Sequence, residues 1–385
     1  MIYDHKSKKN DVSKAKNARI QLDDSFEVNT YDFKKVRKYQ NQFIPVLGAN
    51  PDDGFKVGFN NTFTSYGFER NPFTSQHQLK VAYYFATSGY EVNYRFEIAN
   101  LTKNVNLELN AAMQSPNFTI NFFGYGNETL NFDDDFELNY NRVKVRSFNF
   151  NPKLKWANKS GASLSLGASY ENIEVHKSPN RFVENNTELP SYVFNEVQFL
   201  GTNLSFNFEN YDNKAYPTMG MKTEISVGQK TNLDNAKRNF SYIIPEVSFN
   251  HKIDGEGRWV FATKFKSHIN FGNEFEFYQA ASIGGTDGLR GYRNQRFTGN
   301  QSFYQNSDIR YSFSSMKTKL IPIRIGMYAG FDYGRIWLDR EDSKKWHNSY
   351  GGGFFINGAE LLSANLGLFN SSDGIRVAFS LGFQF

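Results

Sequence analysis

The sequence runs out through Ile375-Arg376-Val377-Ala378-Phe379-Ser380-Leu381-Gly382-Phe383-Gln384-Phe385. Ile375, Val377, Phe379, Leu381, Phe383 and Phe385 share one face of this segment, while Arg376, Ala378, Ser380, Gly382 and Gln384 share the other. Successive side chains of a strand point to opposite sides, so one face meets an apolar environment and the other a polar one. The same period of two recurs upstream. Phe55, Val57 and Phe59 alternate with Lys56, Gly58 and Asn60, and Met221, Thr223, Ile225 and Val227 with Lys222, Glu224, Ser226 and Gly228. Leu79 to Phe85, Tyr90 to Ile98, Val105 to Ala111 and Leu164 to Ala168 repeat it, and no clear amphipathic helix interrupts the series. The chain reads as all-β.

Composition narrows the architecture. Among 385 residues there are 39 Phe and 22 Tyr, ten Pro and no Cys, and the mean hydropathy is −0.59. Apolar stretches such as Leu320 to Ile323 fall far short of the roughly 18–20 residues of a spanning helix, so any membrane is crossed by strands. A soluble sandwich also buries one face of each strand. A sequence that ends on such a strand, with Phe as its last residue, more closely resembles the barrels of the bacterial outer membrane. In those barrels the apolar face points outward and the assembly machinery reads the terminal aromatic.

Sixteen strands are expected, at 40–49, 53–66, 76–87, 90–101, 104–115, 138–156, 160–177, 192–209, 218–229, 238–252, 257–272, 301–315, 319–333, 346–358, 359–370 and 373–385. That even number suits a single-chain antiparallel barrel with short periplasmic turns and longer outer loops. With the C-terminus in the periplasm, 116–137, 178–191, 230–237, 284–300 and 339–345 fall outside; 102–103, 157–159, 253–256 and 316–318 fall inside. Trp156, Trp259, Trp337 and Trp346 all stand at strand ends, where an amphipathic ring suits the headgroup level.

Other classes find little support. The 44 basic and 39 acidic residues are scattered, without the stripe that a nucleic-acid partner requires. Six isolated histidines, no nucleophile elbow and no phosphate loop predict neither catalysis, nor a metal, nor a cofactor. Asp133, Asp134 and Asp135 could meet a cation or lipopolysaccharide, though a solvated acidic run is the plainer reading. Met1 to about Val36 is polar and rich in lysine (Lys6, Lys8, Lys9, Lys14, Lys16) and lacks the apolar core of a secretory signal. An exported protein would therefore have its natural start upstream. Residues 1–40 are expected to be a polar tether reaching into the approach to the first strand, with the barrel over 41–385.

Between strands 11 and 12 lies Gly284-Gly285-Thr286-Asp287-Gly288-Leu289-Arg290-Gly291-Tyr292, whose glycines free the backbone to place one arginine. Gly284-Gly285 with Leu289-Arg290-Gly291-Tyr292 resembles the loop-six motif of the Omp85 superfamily of bacterial surface antigens. In that family the arginine folds back into the barrel lumen. Asn306 to Tyr311 is similar to the acidic-apolar-Arg pattern of its twelfth strand, and Phe331 to Trp337 to the Asp-x-Gly motif of its thirteenth. Tyr211-Asp212 with Tyr216 to Gly220 resembles the turn before its ninth, and Leu381 to Phe385 its closing strand.

The resemblance spans the barrel and implies partners for the loop arginine in Asp308, Asp332 and Gly334, a possible kink at Gly382 and an assembly signal at Phe383 and Phe385. An arginine in the lumen needs carboxylates, and the pair could serve simply as a brace between loop and wall. The family places an aromatic two residues before the Asp, where this chain has Gly330; the ring on which the arginine would stack is missing there. The implied function is insertion or translocation of polypeptides at the outer membrane, with the N-terminus in the periplasm. Outer-membrane lipid, lipopolysaccharide, the barrel-assembly machinery and a polypeptide client are the implied partners. Anchoring or exporting a fused patatin-like or phosphoesterase-like enzyme is the alternative, and a passive pore fits less well with a loop shaped to fill the lumen.

Overall fold

The computed structural model describes residues 2–13, 15, 18, 20–22, 24, 38–66, 73–133, 135–158, 160–186, 189–213, 216–272, 274–285, 287–319, 322–339, 341–358 and 362–383. Lys14, Lys16, the stretch 25–37, Asp134 and Phe385 lie outside them. Ile2–Asp4 and Ile20–Leu22 pair in parallel as a separate two-stranded sheet.

Sixteen long strands close into an antiparallel barrel. They are β1 Tyr39–Asn50, β2 Gly54–Ser65, β3 Ser75–Tyr84, β4 Gly89–Thr102, β5 Val105–Gln114, β6 Arg142–Ala157, β7 Ala162–His176 and β8 Val197–Glu209. The circuit continues with β9 Gly220–Asn232, β10 Asn239–Lys252, β11 Trp259–Phe271, β12 Gln301–Ser312, β13 Pro322–Trp337, β14 His347–Gly358, β15 Leu362–Ser371 and β16 Gly374–Phe383. Each corresponds to one expected strand. The eighth begins later than expected because Ser191–Phe194 coils into a short 3-10 turn that carries Val193 into an apolar cluster. The thirteenth runs on to Trp337, since Ile336 is buried against the loop after β11. The only α-helix among the described residues is the four-residue Phe182–Asn185.

Alternation explains why these segments cross a membrane. On β7 and β8 the outward Leu164, Leu166, Leu200, Leu204 and Phe206 are exposed large apolar residues, while the inward Ser165, Gly167, Asn203 and Ser205 pair across the same ladder. Exposed apolar side chains outside and polar ones within are the reverse of a water-soluble sheet. The outward face changes character at the rim, where Phe148 and Tyr170 give way to Arg146 and Asn172 on the same faces. Aromatic girdles mark both ends: Trp259 packs on Tyr311 with ring centroids 4.7 Å apart, and Trp346 stacks on Tyr333 at 4.3 Å.

The connections sort by end. Where β1 begins and β16 finishes lie 66–74, 103–104, 158–161, 210–219, 253–258, 313–321 and 359–361; at the opposite end lie 51–53, 85–88, 115–141, 177–196, 233–238, 272–300, 338–346 and 372–373. The longest loops share that second end and build a lid. Phe122, Val143, Val145, Ile173, Val175, Val183, Val193 and Phe277 form its buried apolar core across the inward faces of β6 and β7. On the closing strand Gly382 pairs with Ser363 of β15.

Leu166→Arg on the lipid face is expected to destabilise the barrel by about 2–4 kcal/mol, whereas Ser165→Arg, one residue away and facing the lumen, costs far less. Urea titration of each variant refolded into vesicles measures the difference; equal losses would contradict the inside–outside assignment.

Candidate functional site in the lumen

Loop six, the connection 272–300, stands on a short ribbon of Ala281–Ile283 against Phe297–Gly299. Gly285 has φ +61° and Gly288 φ +151°. A Cβ on Gly285 would come within 1.9 Å of Asn294 Oδ1, so this turn is open only to glycine. Gly285 N–H and Tyr292 N–H both donate to the Leu289 carbonyl (2.9 and 3.0 Å). Leu289, Tyr292, Ile283 and Phe297 bury together against Tyr304 of β12 and Ile336 of β13. This small core fixes the loop on the wall and leaves Arg290 pointing into the lumen.

Arg290 meets Asp332 and Asp308. Its backbone N–H donates to Asp332 Oδ2 (2.8 Å), Nε to Asp332 Oδ1 (3.0 Å) and Nη2 to Asp332 Oδ1 (2.6 Å). Nη2 also donates to Asp308 Oδ1 (2.7 Å). Asn306 Nδ2 (2.8 Å) and Ser349 Oγ (2.8 Å) complete the donors around the Asp332 carboxylate, which is 0% exposed. A buried charge is tolerable when its lone pairs are filled in this way. Burial by itself would lower the Arg290 pKa; hydrogen bonding and charge from Asp332 and Asp308 outweigh it and raise the pKa above the ordinary arginine value.

A ring does stack on the arginine, from a strand the sequence reading did not consider. The Phe369 ring of β15 lies 4.1 Å from Arg290 Cζ. The register explains how it reaches: Gly330 of β13 faces Gly351 of β14, which faces Phe369. The two glycines form a trough across the inner wall. A Cβ on Gly330 would stand 2.5 Å from Asp308 Oδ1, 2.6 Å from Arg290 Nη2 and 3.0 Å from Phe369 Cζ. The absent aromatic at position 330 is thus the room in which the ring from β15 fits.

Gly334, expected among the arginine's partners, supplies space instead: a Cβ there would lie 2.9 Å from the Tyr304 Cβ. Loop six is held further by Gly291, whose N–H donates to Ser349 Oγ (3.1 Å) and whose carbonyl accepts from Ser371 Oγ (2.8 Å). At the other end of the lumen, Arg310 donates to the Pro217 carbonyl (2.8 Å) and stacks on Tyr216 (4.6 Å). The 210–219 turn is therefore tied to β12. Asp212 organises that turn by accepting from the N–H groups of Thr218 (2.9 Å) and Met219 (3.1 Å); these bonds outweigh its burial and lower its pKa. Of the terminal signal, Phe383 is the last described residue of β16 and Phe385 lies outside the described residues. In the acidic run Asp133 accepts from Arg293 Nη1.

Residues 172–358 match the family model described as haemolysin secretion/activation protein ShlB/FhaC/HecB. The barrel is similar to that of BamA from Haemophilus ducreyi lacking POTRA domains 1–3, with a TM-score of 0.63 and 16% identity over 90% of this chain and 70% of that one. It is also similar to CdiB from Escherichia coli (TM-score 0.59, 11% identity, 89% and 63%) and from Acinetobacter baumannii (0.56, 12%, 91% and 60%). The chain thus spans about three fifths of either CdiB. No curated protein matches the sequence.

Arg290→Ala is expected to leave the Asp332 charge uncompensated, costing roughly 3–5 kcal/mol and exposing loop six to protease. Phe369→Leu should cost about 0.5–2 kcal/mol through the lost cation–π contact. Limited proteolysis of the folded variants reads both, and unchanged resistance would remove the assigned role.

Proposed function

We propose that the chain is an outer-membrane β-barrel of the Omp85 superfamily, the membrane domain of a protein that inserts polypeptides into the outer membrane or moves them across it, a reading supported by the family model and the similar barrels. The observation that carries this reading is the seam between β1 and β16. Among the described residues only Leu47–Leu381, Gly48–Ser380 and Ala49–Phe379 are in register there, whereas β13 and β14 pair continuously from Ile323–Gly358 to Gly334–His347. Pro45, two residues before Leu47 on β1, has no N–H to offer a ladder. Below Leu47 no β16 pairing of β1 is found among the described residues, and a sheet edge of that kind is where an extended peptide can add as a strand.

The lid core and loop six both occupy the lumen, which favours a gated path for a polypeptide over a passive pore. In this reading the N-terminus lies in the periplasm and the long loops face outward. Outer-membrane lipid and lipopolysaccharide surround the apolar belt. The barrel-assembly machinery reads the closing strand through Phe383 and Phe385.

Because the chain has no cysteine, Ala49→Cys with Phe379→Cys makes a clean cross-link over the seam. In cells that depend on this protein, oxidation should abolish insertion or secretion of its client and reduction should restore it. Full activity of the quantitatively cross-linked form would refute the seam reading. Deleting Phe383 to Phe385 should prevent assembly; normal heat-modifiable mobility of that variant in membranes would contradict the terminal-signal role.

A further inference from the structure

The short seam is accompanied by an unusual carboxylate. Asp52 sits in the turn between β1 and β2, yet is only 3% exposed. Extending the seam's register three positions beyond Ala49–Phe379 places Asp52 opposite Arg376 of β16, and Arg376 Nη2 donates to Asp52 Oδ2. The pair thus continues the β1–β16 ladder with side chains where backbone pairing has stopped. The turn itself is shaped for this, because Asn50 Oδ1 accepts from the N–H groups of Asp52 (2.9 Å) and Asp53 (3.0 Å).

Loop six grips the same carboxylate. Arg293 Nε donates to Asp52 Oδ1 (2.7 Å) and the Asn294 N–H to Oδ2 (3.0 Å). Asn121 Nδ2 adds a bond to Oδ1 (2.7 Å), and Arg142 of β6 donates to the carbonyls of Pro51 (3.1 Å) and Asp52. Loop six is meanwhile anchored on the other side of the seam through Arg290 on β12 and β13, Gly291 on β14, and Arg296 Nε to Asp373 (2.6 Å) in the β15–β16 turn. Burial by itself would raise the Asp52 pKa; the charges of Arg376 and Arg293 hold it below the ordinary carboxylate range, so the group is ionised at neutral pH.

We propose that Asp52 is a latch: with Arg376 and Arg293 it fastens the β1–β2 turn to β16 and to loop six, and holds the seam shut at its outer end. Three backbone pairs alone are a weak closure, and the ion cluster supplies the remainder. Opening requires the Asp52 carboxylate to be surrendered by both arginines together, so anything that moves loop six acts on the seam. This rests on the reading of the seam as the line that opens, and refines it by naming the contact that keeps it closed.

The test is single-channel recording in planar bilayers of the full chain, of Asp52→Asn, and of Asp52→Asn carrying the Ala49→Cys and Phe379→Cys cross-link. The latch predicts that Asp52→Asn raises the frequency of large openings at least about tenfold, the weight of one or two charge-assisted hydrogen bonds, and that oxidising the cysteine pair suppresses them. Unchanged openings overturn the proposal; so do extra openings that survive the cross-link, which would place them in the lumen. Should Asp52→Asn fail to assemble, Arg376→Gln removes one arm, leaves Asp52–Arg293 in place and is read the same way. Asp53→Asn, whose carboxylate accepts from Asn50 Nδ2 (2.8 Å) and is hydrogen-bonded to neither Arg376 nor Arg293 among the described contacts, serves as the control that removes a neighbouring charge without touching the latch. The readout is conductance, so a loss of client transport without extra openings would count against the latch and leave the transport reading standing.

Discussion

In hydrocarbon every backbone amide and carbonyl must find its partner within the protein, and a closed barrel meets that demand through ladders between its long strands of which, among the described residues, the one between β1 and β16 is the shortest. Between β1 and β16 the described backbone pairing spans three positions. The whole architecture adapts to that line. Loop six, β6 and the β1–β2 turn carry the buried charges Arg293, Arg142 and Asp52 to it, because side-chain bonds can tie strands together where backbone bonds are few.

Loop six can do this because its own position is over-determined. The fully buried Asp332 has its oxygens filled by donors from Arg290, Asn306 and Ser349, so the ion pair is a satisfied network rather than a stranded charge. A row on the inner wall runs from Asp308 through Gly330, Gly351 and Phe369 to Arg376, each facing the next across one strand pair. Arg290 lies over the glycine part of that row, and Asp52 meets its far end. Loop position and seam closure are therefore two ends of one contiguous set of contacts.

The strands were legible in the sequence because lipid and lumen impose opposite polarity on alternate residues, and sixteen segments obey that rule. Boundaries slipped where a second environment intervened: Val193 belongs to the lid core and Ile336 to the core of loop six. Arg290, Asp308 and Asp332 could be named because their motifs keep a fixed order along the chain. Phe369 and Asp52 could not. Phe369 reaches Arg290 only through the register of three strands. Asp52 and Arg376 lie 324 positions apart, and nothing local marks a turn aspartate for burial. Gly330 carried a hint, since a glycine in place of a ring leaves space that some other group must fill.

Loop six is locked in the lumen while the described pairing of β1 with β16 stops at Leu47, and amide hydrogen exchange of the barrel in a lipid bilayer tests this directly. The account predicts that the amides of Arg290 and Gly291, which donate to Asp332 and Ser349, exchange as slowly as those of β12 and β13. It also predicts that β1 residues below Leu47 exchange faster than the strands of the opposite wall. Loop-six amides that exchange as fast as those of the open 253–258 turn, or a β1 edge as protected as β13, would contradict it.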